Sequence, residues 1–206
     1  MARTIYRIRM FTAAAAALTA LVLPAAASAG SLKDAAPSCD SQVLGQTFLP
    51  WADVANYTLN PGGSFEDGAA GWRLDGASVS DGNEPFAVGG AADDRSLALP
   101  SGSSAVSAPI CVGLEHPDIR FFTAASNAMA RLSVEVIFEG PSGELLSAPI
   151  GTVSGAGRWA PTAPFPIVAN LLALLPSNHT AVAFRFSASG GNFRIDDLYV
   201  DPYQRR

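Results

Sequence analysis

An all-β fold of two packed antiparallel sheets is what this chain of 206 residues predicts. Three observations carry that prediction. From about Ala55 onward, short apolar stretches alternate with Gly, Pro, Ser and Asp clusters every roughly 8–15 residues, the rhythm of a β-sandwich. Several of the stretches alternate apolar and polar residues at period two, so one face turns inward and the other outward. No repeat of fixed period and no low-complexity tail interrupts them.

Taken in order, the chain opens on Arg3, Arg7 and Arg9, an apolar run from Phe11 to Leu23, then Pro24 and Ala27-Ser28-Ala29. That pattern predicts a signal peptide over 1–29, cut before Gly30, and therefore a secreted, extracellular protein. The apolar run is mostly alanine and short for a membrane span, so no stable membrane insertion is expected after cleavage. Residues 30–54 read as an N-terminal extension, with Trp51 packing it against the body, and 55–203 as the sandwich domain.

The clearest strand is Arg131–Glu139, where Leu132, Val134, Val136 and Phe138 share one face. Pro141-Ser142-Gly143-Glu144 turns it into Leu145–Val153, giving a hairpin. Thr180–Ser187 repeats the pattern, with Val182, Phe184 and Phe186 inward. Further strands are expected at Tyr57–Leu59, Trp72–Asp75, Ser96–Leu99, Ala105–Val112 and Ile119–Thr123. Val168–Leu175 is apolar without alternation and reads as a helical turn or a buried connection. In Asn192–Val200, Phe193 and Ile195 share one parity but Leu198 and Val200 the other. The face therefore switches at Asp196-Asp197, as a β-bulge or bend would make it do. Adjacent carboxylates repel, so either both are solvated at a strand end or at least one is neutralised by a cation or an arginine.

Cys39 and Cys111 are the only cysteines, and in an oxidising compartment they are expected to pair. No C-x-x-C is present. His116 and His179 both read as loop residues, so neither metal nor redox use of the cysteines is expected. Removing residues 1–29 takes away three of the 13 basic residues and none of the 18 acidic ones, leaving 177 residues with a net charge of about −8. Nucleic acid and anionic membranes need clustered Lys and Arg, and are excluded as partners. No G-x-S-x-G, H-E-x-x-H or phosphate-binding loop exists. Glu135 and Glu139 on one strand stand about 13 Å apart, beyond the roughly 5–9.5 Å of glycosidase carboxylate pairs. The chain reads as not an enzyme.

Asn60-Pro61-Gly62-Gly63-Ser64-Phe65-Glu66-Asp67-Gly68 with Gly71-Trp72, and Phe193-Arg194-Ile195-Asp196-Asp197-Leu198, together resemble the two ends of jelly-roll carbohydrate-binding modules of the family 4/9 and 22 type. Chains of this kind also include small secreted proteins of actinobacterial type that carry the module alone. The resemblance rests on roughly 20 terminal residues about 140 apart, a usual module length. It implies a galactose-binding-like jelly roll, and a structural Ca²⁺ held by Glu66 with Asp196 or Asp197. The inserted Pro-Gly-Gly departs from the pattern and shifts the carbonyls of that segment.

A sugar site needs exposed rings or polar groups, because function resides in the site and not the fold. Trp72 occupies the resemblance's Gly-Trp position and is expected in the core. Trp159 either caps the core edge or lies in a loop. Arg120, Arg131, Glu135 and Arg185 point outward from central strands, and would suit hydrogen bonding to a polar or acidic glycan. The alternative for these four is an ordinary solvated face. The expected function is thus a non-catalytic module recognising an extracellular or cell-wall carbohydrate. The rival is a structural or protein-interaction module of the cell envelope.

Overall fold

The computed structural model describes residues 31–113, 117–168 and 179–202. The expected signal peptide, His116 and residues 169–178, which hold most of the apolar stretch after Val168, lie outside the described residues.

Two antiparallel sheets pack face to face. The first contains β1 (Thr58–Leu59), β3 (Ser78–Asp81), β4 (Arg95–Leu99), β7 (Asp118–Ala125), β10 (Ala160–Pro161), β11 (Phe165–Pro166) and β13 (Phe193–Asp201). Its order is β10-β7-β13-β4-β3, with β1 beside β13 and β11 beside β7. The second contains β2 (Arg73–Asp75), β5 (Ser104–Val106), β6 (Ile110–Gly113), β8 (Arg131–Glu139), β9 (Leu145–Ser154) and β12 (His179–Ser189). Its order is β2-β5-β12-β8-β9, with β6 beside β12. Strands cross from sheet to sheet along the chain, so the core is closed by long-range pairing.

That core is made by the alternation itself. Leu132, Val134, Val136 and Phe138 of β8 and Val182, Phe184 and Phe186 of β12 meet Ile119 and Phe121 of β7, Leu97 and Leu99 of β4, and four residues of β13. Those four are Phe193, Ile195, Leu198 and Val200, which reach one core despite opposite parity. The pairing of β13 with β7 shifts register between Asp196 and Tyr199, and Asp197 sits at φ +51°. A β-bulge takes up the extra residue. Aspartate is among the few non-glycine residues that enter the left-handed region readily.

One expected element differs. Ala105–Val112 is split into β5 and β6, because Val106 pairs Arg185 while Ile110 pairs Val182. Ser107, Ala108 and Pro109 thus oppose two residues, and proline cannot donate to the ladder. The β8–β9 hairpin forms as expected, with a register shift between Val134 and Glu135 beside Pro149. β3, β10 and β11 were not predicted: they are two to four residues long and hold too few apolar positions to show a period.

The N-terminal extension wraps the end of the sandwich. Helix α1 (Leu32–Ala35) packs on β12 beside Glu139, whose carboxylate accepts the Leu32 N–H. The Cys39–Cys111 disulfide, with Cα atoms 5.2 Å apart, then locks the extension to β6. Gly45 and Tyr57 exchange backbone hydrogen bonds of 2.9 and 2.8 Å, and Phe48 is buried against the outer face of the first sheet. A second apolar cluster forms there from Phe48, Tyr57, Phe122 and Tyr199, with Trp51 packed on it. Trp72 lies in the main core, T-stacked on Phe65 at 4.9 Å, with its indole N–H donated to the Pro61 carbonyl at 3.0 Å.

Candidate functional site

The sequence-predicted residues fall in three places. At the β13 bulge, Asp196 and Asp197 are both buried. Asp196 Oδ1 accepts the N–H of Asp197 at 2.9 Å and its Oδ2 that of Glu84 at 3.1 Å. Asp197 Oδ1 has no hydrogen-bond partner, although the residue is only 1% exposed. Glu66 lies across from them and accepts the N–H groups of Asp94 and Arg95 at 3.1 and 2.9 Å.

Two further acids join the nest. The buried Glu84 accepts the N–H groups of Phe86 and Val88 and so folds its own loop. Gly89 stands against Asp93 and Asp197: a Cβ there would lie 2.0 Å from Asp93 Oδ2 and 3.4 Å from Asp197 Oδ1. Both carboxylate oxygens therefore converge on a space that only a residue without a side chain leaves open. The Asp93-Asp94 doublet before β4 was the available hint in the sequence.

Three of these carboxyls, Asp196, Asp197 and Asp93, hold their protons more tightly than a free aspartate. Burial, then the Asp197 charge, pushes the Asp196 carboxyl up to about 8. Burial, then Asp93, Glu84 and Glu66, pushes Asp197 up to about 7. Asp93 is raised by burial, then by Glu66, Glu84 and Asp94. A buried, unpartnered carboxylate oxygen among like charges is an unfavourable arrangement unless a cation or a proton neutralises it. The donor set is all oxygen, which is the chemistry of Ca²⁺ rather than of a thiophilic metal.

Arg120 and Trp159 lie on the outer face of the first sheet. The sequence reading placed Arg120 among residues open to a ligand; the structure corrects this. Arg120 is 6% exposed, 2.6 Å from Asp53 Oδ2, donates through Nε to the Thr162 carbonyl at 2.9 Å, and lies 4.2 Å over the Phe48 ring. It anchors the extension, and only folding brought the covering segment over it. Tyr57 Oη, 2.9 Å from Asp53 Oδ2 and 3.1 Å from Asp118 Oδ1, completes the clasp. Burial, then Asp201 opposite on β13, pushes Asp118 up to about 7. Although burial opposes it, the N–H of Ala55 and the Arg120 guanidinium hold Asp53 below the usual carboxylate range. Arg120→Ala is expected to destabilise the chain by about 2–3 kcal/mol in denaturant unfolding, since Asp53 loses a charge-assisted partner. Trp159 is half-buried beside the second cluster, with Arg194 6.0 Å from its ring.

The remaining three lie on the second sheet, where only Arg185 and Glu135 are brought together. Register sets Arg73, Val106, Arg185, Glu135 and Pro149 in one row across five strands. The next row is Asp75, Ser104, Ser187, Ser133 and Thr152. Arg185 and Glu135 form an ion pair at 3.1 Å. Arg131 is exposed at the start of β8 and donates to the carbonyls of Ala128 and Ala130. No aromatic residue occupies either row.

No family model matches the chain, and no curated protein matches it in sequence. Among solved structures, the fold is similar to the CBM22-1–GH10 modules of the Clostridium thermocellum endo-1,4-beta-D-xylanase 10B, complexed with xylohexaose. That match has a TM-score of 0.47 and 16% identity over 69% of this chain and 28% of that one. The chain thus spans little more than a quarter of that structure. It is also similar to TmCBM61 in complex with beta-1,4-galactotriose, at TM-score 0.43 and 16% identity over 68% of this chain and 94% of that one. A third likeness is the carbohydrate-binding module CBM6cm-2 of Cellvibrio mixtus lichenase 5A with cellotriose, at TM-score 0.43 and 12% identity, covering 65% and 93%.

Proposed function

We propose that this chain is a secreted, non-catalytic module that recognises an extracellular or cell-wall glycan on the outer face of its second sheet. The two polar rows there carry the reading. Ser104, Ser187, Ser133 and Thr152 lie in the row beside the charged Arg73, Arg185 and Glu135, in an array that crosses five strands. Such a surface binds hydroxyl groups by hydrogen bonds and favours a polar or acidic chain over one held by ring stacking. Secretion is supported by the N-terminal pattern and the disulfide. Among the described residues no helix is long and apolar enough to cross a membrane.

The same proposal gives the acidic nest a structural Ca²⁺ between Asp93 and Asp197, whose oxygens face Gly89, with Glu66, Glu84 and Asp196 around them. The ion would neutralise the nest and hold the loops before β2 and β4 against the β13 bulge. The extension that covers part of the first sheet's outer face is what the rival envelope-interaction reading expects, and experiment separates the two. Retention of the oxidised mature chain (30–206) on a panel of polysaccharides, peptidoglycan included, is measured in calcium buffer. Saturable retention on one class is expected, with Arg185→Ala weakening it by about tenfold, the effect of roughly 1.4 kcal/mol. No retention across the panel overturns the glycan reading and leaves the interaction module.

A further inference from the structure

The Cys39–Cys111 pair has a third member that the sequence reading placed in a loop. His179 is the first residue of β12, where it pairs Gly113 while Ala181 pairs Cys111. His179 and Cys111 are therefore diagonal neighbours on one face of an antiparallel ladder, a separation that side chains bridge easily. The turn Cys39–Ser41 brings Cys39 over the same spot. One ring nitrogen of His179 and both Sγ atoms lie within 4.8 Å of one another. A pocket of about 270 Å³ opens onto them, lined also by Lys33, Asp40 and Thr180. Cys39 is buried, whereas Cys111 and His179 are half-exposed.

We propose that Cys39, Cys111 and His179 form a redox-gated metal site, shut as the disulfide and able to bind Zn²⁺ once a dithiol has reduced it. In the reduction, two electrons and two protons pass from the dithiol to the two Sγ atoms. The S–S bond breaks, two S–H bonds form, and the dithiol closes into its own disulfide. Metal binding then expels both thiol protons, so the ion meets two thiolates and a neutral imidazole nitrogen. Two sulfurs and one nitrogen are a ligand set that zinc accepts, with its fourth position left to water or to Asp40 at the pocket wall. The oxygen-only nest at the β13 bulge is a different site with a different preference. This proposal is independent of glycan binding.

The test titrates Cd²⁺, an optical stand-in for Zn²⁺, into the full mature chain in its oxidised and dithiol-reduced forms. The cadmium–thiolate charge-transfer band reports the sulfurs, tryptophan emission reports the fold, and Zn²⁺ competes the band away. One equivalent is expected to saturate the band in the reduced chain, with no band in the oxidised chain. His179→Ala is expected to weaken binding by at least the roughly tenfold that loss of an outer partner of a metal ligand already causes. The proposal falls if His179→Ala binds as tightly as the wild type, or if the reduced chain shows no band. It falls equally if reduction abolishes native tryptophan emission and metal does not restore it.

Discussion

At pH 8 the chain is expected to melt about 5–10 °C higher in calcium at roughly a hundred times its dissociation constant than in chelator, and Asp197→Asn is expected to lose that response. The expectation follows from the orphaned Oδ1 of Asp197 and its convergence with Asp93 beside Gly89. Asparagine suits the test because it tolerates the left-handed backbone at φ +51° and keeps the shape while removing the charge. Without calcium the same substitution is expected to stabilise the chain at pH 8, because it relieves repulsion among buried acids.

The pH dependence sharpens this. Asp196 and Asp197 keep protons in the folded chain up to about pH 8 and 7, but release them near the ordinary aspartate value of 3.8 when unfolded. The folded chain then binds more protons, so stability is full below about pH 4 and is lost as pH rises to about 8. Asp118, raised to about 7 by burial and Asp201, adds a loss of the same sign. Protons compete with the cation, so calcium should flatten the melting profile above pH 6 and do little at pH 5. A wild type indifferent to calcium at pH 8, with Asp197→Asn more stable in every buffer, would reduce the nest to a buried acid cluster.

Replacing both cysteines by serine is expected to cost about 4 kcal/mol, or about 8–16 °C in melting temperature, because the bond closes a long loop. The sequence separation is 72 residues, and the bond ties the extension to β6. The unfolded chain gains most from the lost constraint, while Arg120, Phe48 and Tyr57 still hold the extension to the first sheet. Melting of the double variant, followed by tryptophan emission, checks this. A loss below about 1 kcal/mol would mean that packing alone fixes the extension.

Much of the fold was legible because β-structure writes its burial into parity. Leu132 to Phe138 and Val182 to Phe186 announce their inward faces, and β8 begins and ends where its alternation does. The parity switch at Asp196-Asp197 forecast the bulge for the same reason. The short strands β3, β10 and β11 left no such trace, since Ser78-Val79-Ser80-Asp81 and two-residue pieces depend on their neighbours for pairing. Trp72 was legible as core, and the cysteine pair as a disulfide.

The functional residues were legible one at a time but not as groups. Arg120, Arg131, Glu135 and Arg185 all look outward by parity, yet the extension covers Arg120 and only Arg185 and Glu135 meet as a pair, while Trp159, left open between the core edge and a loop, lies half-buried beside the second cluster. Glu84 and Asp93 were missed because neither lies in a terminal motif, and their convergence on Asp197 joins loops more than 100 residues apart.

By itself, then, the sequence determined the strand faces, the net charge, the cysteine pairing and the kink in β13, because each depends on a local period or on composition. Tertiary structure alone decided which outward side chains remained open, which acids shared one buried space, and that His179 faced the disulfide. Those are properties of where distant segments cross, and loop closure and register set them rather than any residue's near neighbours.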